Sequence, residues 1–357
     1  MKIVTIRHRF PHMGAHSGYD NLFMHLEKMY GNDFTTIWRK DATFMQRVSG
    51  RVLRPAFNSM KLGPFYTVPS MLAEWKGWKL LKKAGGGIIH IAYLEDSFGL
   101  LAYLKKNAAK YKHIKIVATS HQPVSWWEKH PERIKSLRAL DAMIVLSTRE
   151  QAYFDKQLPG KVHFVRHGID IDFFTPGKEY QQNKTCMFTG NWFRDIPCLI
   201  DVVKRVTEKD NTIRFEIVNH FVDDPAHPIS QLRAFKNAVF HRNISDESLL
   251  GLYRSADLLL LPLIESTANN AMLEATSCGL PIVTTDVGGV RDYTSRGFCD
   301  YAEKGNAAKL AEYVLGAVQA PSELKERRLN ARHYAEQYLD WQVLAKEVAG
   351  IYQSLLA

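Results

Sequence analysis

Short runs of apolar and β-branched residues recur along most of this chain, separated by stretches long enough to hold a helix. That alternation restricts the possible folds more than any other feature of the sequence. The first series is KIVTI at 2–6, GIIHIAY at 87–93, IKIVATS at 114–120, AMIVLS at 142–147 and VHFV at 162–165. A second series is TCMFTG at 185–190, IRFEIV at 213–218, AVFH at 238–241, DLLLLPL at 257–263 and PIVTTD at 281–286. Strands that are apolar throughout must be covered on both faces, as in parallel sheets whose crossovers are helices. Two series therefore predict an α/β protein of two doubly wound units, and 357 residues suffice for both.

The segment HGIDIDFFTPGKEYQQNK, 167–184, combines loop-forming Gly and Pro with a polar tail, and the joint is expected there. The spans predicted are 1–170 for the first domain and 171–335 for the second, followed by 336–357. From Ser322 onward the pattern is helical, with Tyr338, Trp341, Leu344 and Val348 at helical spacing. In open α/β sheets ligands lie beyond the carboxyl ends of the strands, so two such sheets facing each other would leave a cleft for two substrates.

Other readings are excluded by composition. The opening MKIVTIRHRF alternates like a strand and lacks the apolar core of a secretory leader, while the longest apolar stretch, 256–264, is too short to span a bilayer. Cys186, Cys198, Cys278 and Cys299 show neither CxxC pairing nor zinc spacing, which fits a reducing, cytoplasmic setting. The net charge of +10 is unevenly spread: residues 1–165 hold 26 Lys+Arg against 12 Asp+Glu, and the remainder holds 21 against 25. A basic half implies either a solvated basic surface or an anionic partner such as a membrane surface, a lipid phosphate or an acidic glycan, with nucleic acid the weakest case. Lys76, Lys79, Lys82 and Lys83 interleave with Trp75, Trp78, Leu80 and Leu81, a basic amphipathic pattern suited to peripheral contact with the inner face of a membrane. Trp126 and Trp127 look like further exposed aromatics in the same half.

The most informative segment is PLIESTANNAMLEATSCGLPIVTTDVGGVRD, 262–292. A buried strand ends at Pro262, Ser266 and Thr267 are helix-capping types, and a helix over about 269–277 carries Met272 and Leu273 inward until Gly279 and Pro281 end it. Strand, loop and helix in that order aim unpaired amides of Ala268, Asn269, Asn270 and Ala271 at the strand's carboxyl end, where the helix dipole favours an anion such as a diphosphate. Glu274, one to two turns inside the helix, can accept two hydrogen bonds from a vicinal diol such as that of a ribose.

On these residues the segment resembles the donor-binding motif of the family-4 retaining glycosyltransferases, glycosyltransferases group 1, which have the two-domain GT-B fold. In that motif two glutamates are separated by seven residues and a C-G-x-P turn leads to D-x-G-G. Glu274 matches the second glutamate, and Cys278, Gly279, Pro281, Asp286, Gly288 and Gly289 match the turn and the D-x-G-G beyond it. Eight residues separate Glu265 from Glu274, so Ser266 occupies the usual first position and Glu265 takes the role of contact with the donor sugar only through a loop adjustment. The resemblance implies that His121, after the strand at 114–120, approaches the reacting sugar and that the loop HRFPHMGAHSGYDNL is the family's glycine-rich loop. In it Gly14, His16, Ser17, Gly18 and Tyr19 approach phosphate, sugar or acceptor. Family members carry an arginine directly after the glycine corresponding to Gly190 and a lysine some residues later. Here Asn191 and Ile196 stand in those places, and Arg194 is the nearest replacement cation.

The resemblance further implies a retaining transfer of a hexose or related sugar from a nucleoside diphosphate to a hydroxyl of a glycan or lipid-linked acceptor. It also implies no cofactor or metal, and a terminal helix that returns to the first domain. Asp170 and Asp172 spell a D-x-D but lie in the joint, and His220, Asp223, Asp224 and His227 lie in a Pro-containing loop without ligand spacing, so neither group is read as a metal site. A sugar-nucleotide epimerase shares the architecture. Loss of the two usual cations also leaves a non-catalytic nucleotide-sugar or partner-binding protein as an alternative.

Overall fold

The computed structural model describes residues 2–8, 15–60, 62, 65–106 and 111–357. The two series become two parallel sheets of six strands. The first contains β1 (Ile3–Arg7), β2 (Phe34–Trp38), β3 (Gly87–Ile91), β4 (Ile114–Ser120), β5 (Ala142–Val145) and β6 (Val162–Phe164), in the order β2-β1-β3-β4-β5-β6. The second contains β7 (Thr185–Thr189), β8 (Arg214–Val218), β9 (Ala238–His241), β10 (Leu258–Leu261), β11 (Ile282–Thr285) and β12 (Cys299–Ala302), in the order β12-β11-β10-β7-β8-β9. Two strands, β2 and β12, lie outside both predicted series. Each is the outermost strand of its sheet. Both lack a continuous apolar run: FTTIW is buried, half-buried, half-buried, buried and exposed in turn, and CDYA is buried at its two ends and half-buried between.

The central strands show why such runs occur. In β10, Leu258 and Leu260 enter one core with Cys186, Phe188, Leu199, Val202 and Leu310, whereas Leu259 and Leu261 enter another with Met187, Met272, Leu273 and Tyr293. Successive side chains point to opposite faces, so a strand sandwiched between helices is apolar at every position. The first sheet is packed likewise, with Val4, Ile6, Ile89 and Ile116 against Trp78, Leu81, Trp127 and Phe154. Trp127 is thus a core residue, which corrects its reading as an exposed aromatic, and Trp78 and Leu81 are core residues rather than the apolar side of a membrane-facing stretch; Trp75 and Leu80 do face solvent.

The chain divides into two compact units. One holds β1, Gly18–His167 and Trp341–Ala357; the other holds Gly168–Asp340 together with Ala15, His16 and Ser17. Three boundaries differ from those expected. The joint begins at Gly168 rather than 171, because the Ile169 amide donates to the Leu339 carbonyl and Phe174 is buried among second-unit residues. The helix Pro321–Tyr338 stays wholly with the second unit, where Ala331 and Ala335 pack, so the C-terminal break comes at Trp341 rather than 336. Ala15, His16 and Ser17, expected in the first domain, group with the second. The last helix, Trp341–Leu356, buries Trp341, Leu344, Val348 and Tyr352 within the first unit, next to the helix Asp20–Tyr30. Tyr338 ends the preceding helix and is exposed rather than sharing that face. No helix among the described residues is long and apolar enough to cross a membrane.

In the second sheet the strand order reverses between β10 and β7. Loops that leave the carboxyl ends of two strands at such a switch point diverge and leave a crevice between them. Here those loops are residues 190–195 and 262–269.

Candidate functional site

At the switch point the two loops are stitched together. Arg194 and Leu263 form an isolated antiparallel bridge, the Ile264 amide donates to the Phe193 carbonyl, and the Asp195 amide donates to the Pro262 carbonyl. Arg194 is held by its own surroundings: Nε donates to the Thr189 carbonyl at 2.8 Å, Nη1 to the Trp192 carbonyl at 2.8 Å and Nη2 to Asn269 Oδ1 at 3.2 Å. Burial lowers its pKa to about 10, so it is a cation at neutral pH. It does not pair with Asp195, which instead caps the helix Ile196–Lys209 through the Cys198 amide. The guanidinium lies over Gly190, where an added Cβ would stand 2.4 Å from Nη2. Asn191 Oδ1 is buried beside it with no hydrogen-bond partner.

The helix after the second loop runs Asn270–Ser277, and its N-cap is Asn269 rather than Ser266 or Thr267. Asn269 makes no side-chain capping bond, since its Oδ1 is taken by Arg194. Ser266 serves the loop instead: its hydroxyl donates to the Thr267 carbonyl, and its carbonyl accepts from the Gly289 amide at 2.9 Å. Gly288 packs so tightly here that a Cβ would lie 1.8 Å from the Ser266 carbonyl oxygen and 2.8 Å from Glu265 Oε1. The D-x-G-G turn is thus the back wall of the loop that holds Glu265, which is half-buried and accepts from the Ser266 amide. Ala268 is half-buried, Thr267 and Ala271 are buried, and Asn270 is exposed. The helix ends in a Schellman motif, with the Leu280 amide on the Ala275 carbonyl and the Gly279 amide on that of Thr276.

Glu274 is 6% exposed. Its Oε1 accepts from the Ser17 hydroxyl at 2.6 Å and its Oε2 from the Tyr253 hydroxyl at 2.7 Å. Burial raises the pKa of the carboxyl, while these two bonds and the Arg194 charge pull it down. Each carboxylate oxygen retains capacity for a further donor. Ser17 comes from the expected glycine-rich loop, whose Gly14 lies outside the described residues. His16 in that loop stacks on Phe173 at 3.6 Å and pairs with Asp170 at 2.6 Å. Asp170 Oδ1 accepts the Asp172 and Phe173 amides, so the D-x-D forms a turn. Asp223 is engaged by Arg233 and Arg242, and His227 caps a short 3-10 turn.

His121 stands in the first unit, directly after β4. Its Nε2 donates to the Ala92 carbonyl at 2.9 Å, its ring stacks on Tyr93 at 4.5 Å, and Tyr19 meets it edge-on at 4.7 Å. Burial lowers its pKa to about 4, so it is a neutral imidazole near pH 7. The turn it sits in is fixed by buried Glu95, whose Oε1 accepts from Ser120 Oγ and from the amides of His121 and Gln122. Gly18 accepts from the Asn21 amide as the next helix begins. Tyr19, expected to reach an acceptor, is instead buried, with its hydroxyl on Thr119 and its ring against His121 and Trp341. It supports His121 from within the core.

Sequence reasoning missed Tyr253 and Glu95. Tyr253 lies three residues after Leu250 on an inward helical face and reads as core. Glu95 carried a usable signal, being an acid just beyond the carboxyl end of a buried strand.

Residues 183–320, which contain the whole of the second unit's sheet and the two loops at its switch point, match the family of glycosyl transferases group 1. Over those residues the chain is similar to the group 1 glycosyltransferases. D-inositol 3-phosphate glycosyltransferase 2 of Catenulispora acidiphila is 23% identical over 217 residues, 54% of this chain and 51% of that protein. The MMP α-(1→4)-mannosyltransferase of Mycolicibacterium hassiacum is 23% identical over 299 residues, 76% of this chain and 69% of its own length. The first of these matches thus spans about half of the curated relative. Among solved structures, a glycosyltransferase of Rickettsia africae aligns with a TM-score of 0.71 at 14% identity, over 99% of this chain and 98% of that one. Anabaena HepE in complex with UDP-glucose also gives 0.71, at 15% identity over 99% and 100%. The fold is GT-B. Glu274 and the D-x-G-G turn of this chain lie within the matched residues, as does Arg194 with its bonds to Thr189, Trp192 and Asn269.

Proposed function

We propose that this protein is a group 1 glycosyltransferase that moves a sugar from a nucleoside diphosphate to an acceptor hydroxyl with retention of configuration. The observation that carries the reading is the pairing, at one switch point, of a fixed guanidinium with a buried carboxylate that already accepts hydroxyl donors on both oxygens. Arg194 and the amides of residues 268–271 suit a diphosphate, to which both can donate. Glu274 suits the ribose diol, with the Ser17 hydroxyl where a sugar hydroxyl would donate. Glu265, braced by Gly288, is proposed to meet the donor sugar, and His121 to serve the reaction as a neutral imidazole. That HepE is seen with UDP-glucose supports a nucleotide sugar as the donor class.

In the step proposed, the bond from the anomeric carbon to the diphosphate oxygen breaks, and the acceptor oxygen bonds to the same face of that carbon. The acceptor's proton passes to an oxygen of the departing diphosphate. Arg194 and the helix amides offset the charge that grows on the leaving group, which is the largest electrostatic demand of the reaction. Because a protein cation fills that role, we propose that turnover needs no added metal and persists in EDTA. A panel of nucleotide sugars, screened by thermal shift, identifies the donor. With that donor, Glu274→Ala should weaken binding by about tenfold or more, and the anomeric proton of the product should report retention. Unchanged affinity in Glu274→Ala would sink the assignment. Conversion of the donor without an acceptor would favour the epimerase reading, and a donor that binds without turnover the binding-only reading.

A further inference from the structure

The helix Phe44–Ser59 in the first unit is apolar on two sides. Its inner side is ordinary: Phe57 and Leu53 pack with Tyr66, Val68 and Met71. Its outer side carries Phe44, Met45, Val48 and Val52, exposed by 77%, 74%, 42% and 75%. Phe44, Val48 and Val52 recur every four residues and Met45 extends their row on one side, so together they form one arc about 100° wide. Scattered apolar residues on a surface mean little, whereas a contiguous arc of this kind needs a partner. Exposed Arg47 and Arg51 border it on one flank.

The next helix, Val68–Ala84, turns Leu72, Trp75 and Leu80 outward between exposed Lys76, Lys79 and Lys83. Glu74 is the sole acidic residue of the sequence from 42 to 84. It is buried, and accepts the amides of Phe98, Gly99 and Leu101. These two packed helices therefore present cations and apolar side chains with no exposed carboxylate among the described residues.

We infer that the outer arc of the helix Phe44–Ser59 seats the first unit on an anionic lipid surface, with the flanking arginines and the lysines of the following helix held at the headgroups. An apolar arc with a basic border is what an interfacial helix requires, since the apolar side enters the acyl boundary while the cations meet anionic lipid. A second copy of the chain is a poor occupant. A two-fold contact brings the same patch against itself and would set cation against cation. The inference does not depend on the donor chemistry proposed above, because it concerns other residues and a separate measurement.

The test is co-sedimentation of the whole chain with large vesicles of pure phosphatidylcholine and of phosphatidylcholine with about one-third phosphatidylglycerol. The wild type should partition onto the anionic vesicles about tenfold more strongly than onto the neutral ones, and high salt should release it. The double variant Phe44→Glu with Val52→Glu should lose about tenfold of that partitioning while keeping the thermal midpoint and elution volume of the wild type. Absence of wild-type sedimentation, equal partitioning onto both vesicles, or an unchanged double variant would each overturn the inference. So would a wild-type dimer that the double variant dissolves, which would assign the arc to self-association.

Discussion

Arg194 owes its place to the absence of a side chain at Gly190. Gly190 has φ +92, where L residues are strained, and an added Cβ would displace the guanidinium. Gly190→Ala should therefore push Arg194 from its carbonyl cradle. We expect affinity for the nucleoside diphosphate to fall about tenfold, approaching that of Arg194→Ala, as read by calorimetric titration. Affinity near that of the wild type would show that Arg194 does not meet the phosphates. Glu274 makes a second residue-scale case. Tyr253→Phe removes the donor to Oε2 and leaves a buried carboxylate oxygen unpaired, which should cost about 1–3 kcal/mol of stability in urea unfolding. In a Glu274→Gln background the same substitution should cost less, and equal cost in both would deny the coupling.

Among the elements, the loop before the helix Asn270–Ser277 is tightly constrained by the turn behind it. Gly288 has φ +53, and an added Cβ there would strike the Ser266 carbonyl at 1.8 Å, a backbone atom that cannot rotate away. Gly288→Ala should destabilise the second unit by about 3 kcal/mol or more, since positive φ alone costs about 1–2 kcal/mol before the loop is displaced. Chemical denaturation would read this, and a loss under about 1 kcal/mol would mean that the loop has room to shift. This wall was legible as the spacing of Asp286, Gly288 and Gly289 after a strand; its role in shaping the Glu265 loop was not, because that depends on a contact between segments distant in sequence. The same limit explains Asn269, a good capping type whose side chain is drawn to Arg194 by a tertiary contact and so makes no capping bond. The sheets were legible wherever a strand carries a continuous apolar run, the edge strands β6 and β9 included. They were lost at β2 and β12, where one side of the strand meets solvent or a polar edge and the apolar run breaks. Ser17 was legible as part of a loop of small residues, but its bond to Glu274, 257 positions away, was not.

At the scale of the whole molecule, the first unit is closed by the end of the chain, and a buried polar network marks the closure. His90 lies in β3 with no exposed surface. Its Nδ1 meets the Tyr352 hydroxyl of the last helix at 2.5 Å and its Nε2 meets Thr119 Oγ1 at 2.8 Å. Burial, with a smaller effect from His121, lowers its pKa from 6.5 to about 3. The folded unit thus refuses a proton that the unfolded chain accepts, so the stability that neutral His90 preserves is intact above pH 6.5 and declines as the pH falls toward 3. His121, lowered to about 4, acts in the same direction. Glu74, raised to about 7, and Glu95, also raised, act in the opposite one: their folded forms take up protons before the unfolded chain does, and the unit gains stability as acid is added. Because these effects oppose one another, the informative quantity is the difference between the wild type and His90→Gln, which cannot titrate. That difference should shrink by up to about 1.4 kcal/mol per pH unit between about pH 6.5 and 4, followed by urea unfolding at each pH. A difference independent of pH would mean that the imidazole is protonated as readily in the folded unit as in the unfolded chain, and that the contact between the last helix and β3 is wet.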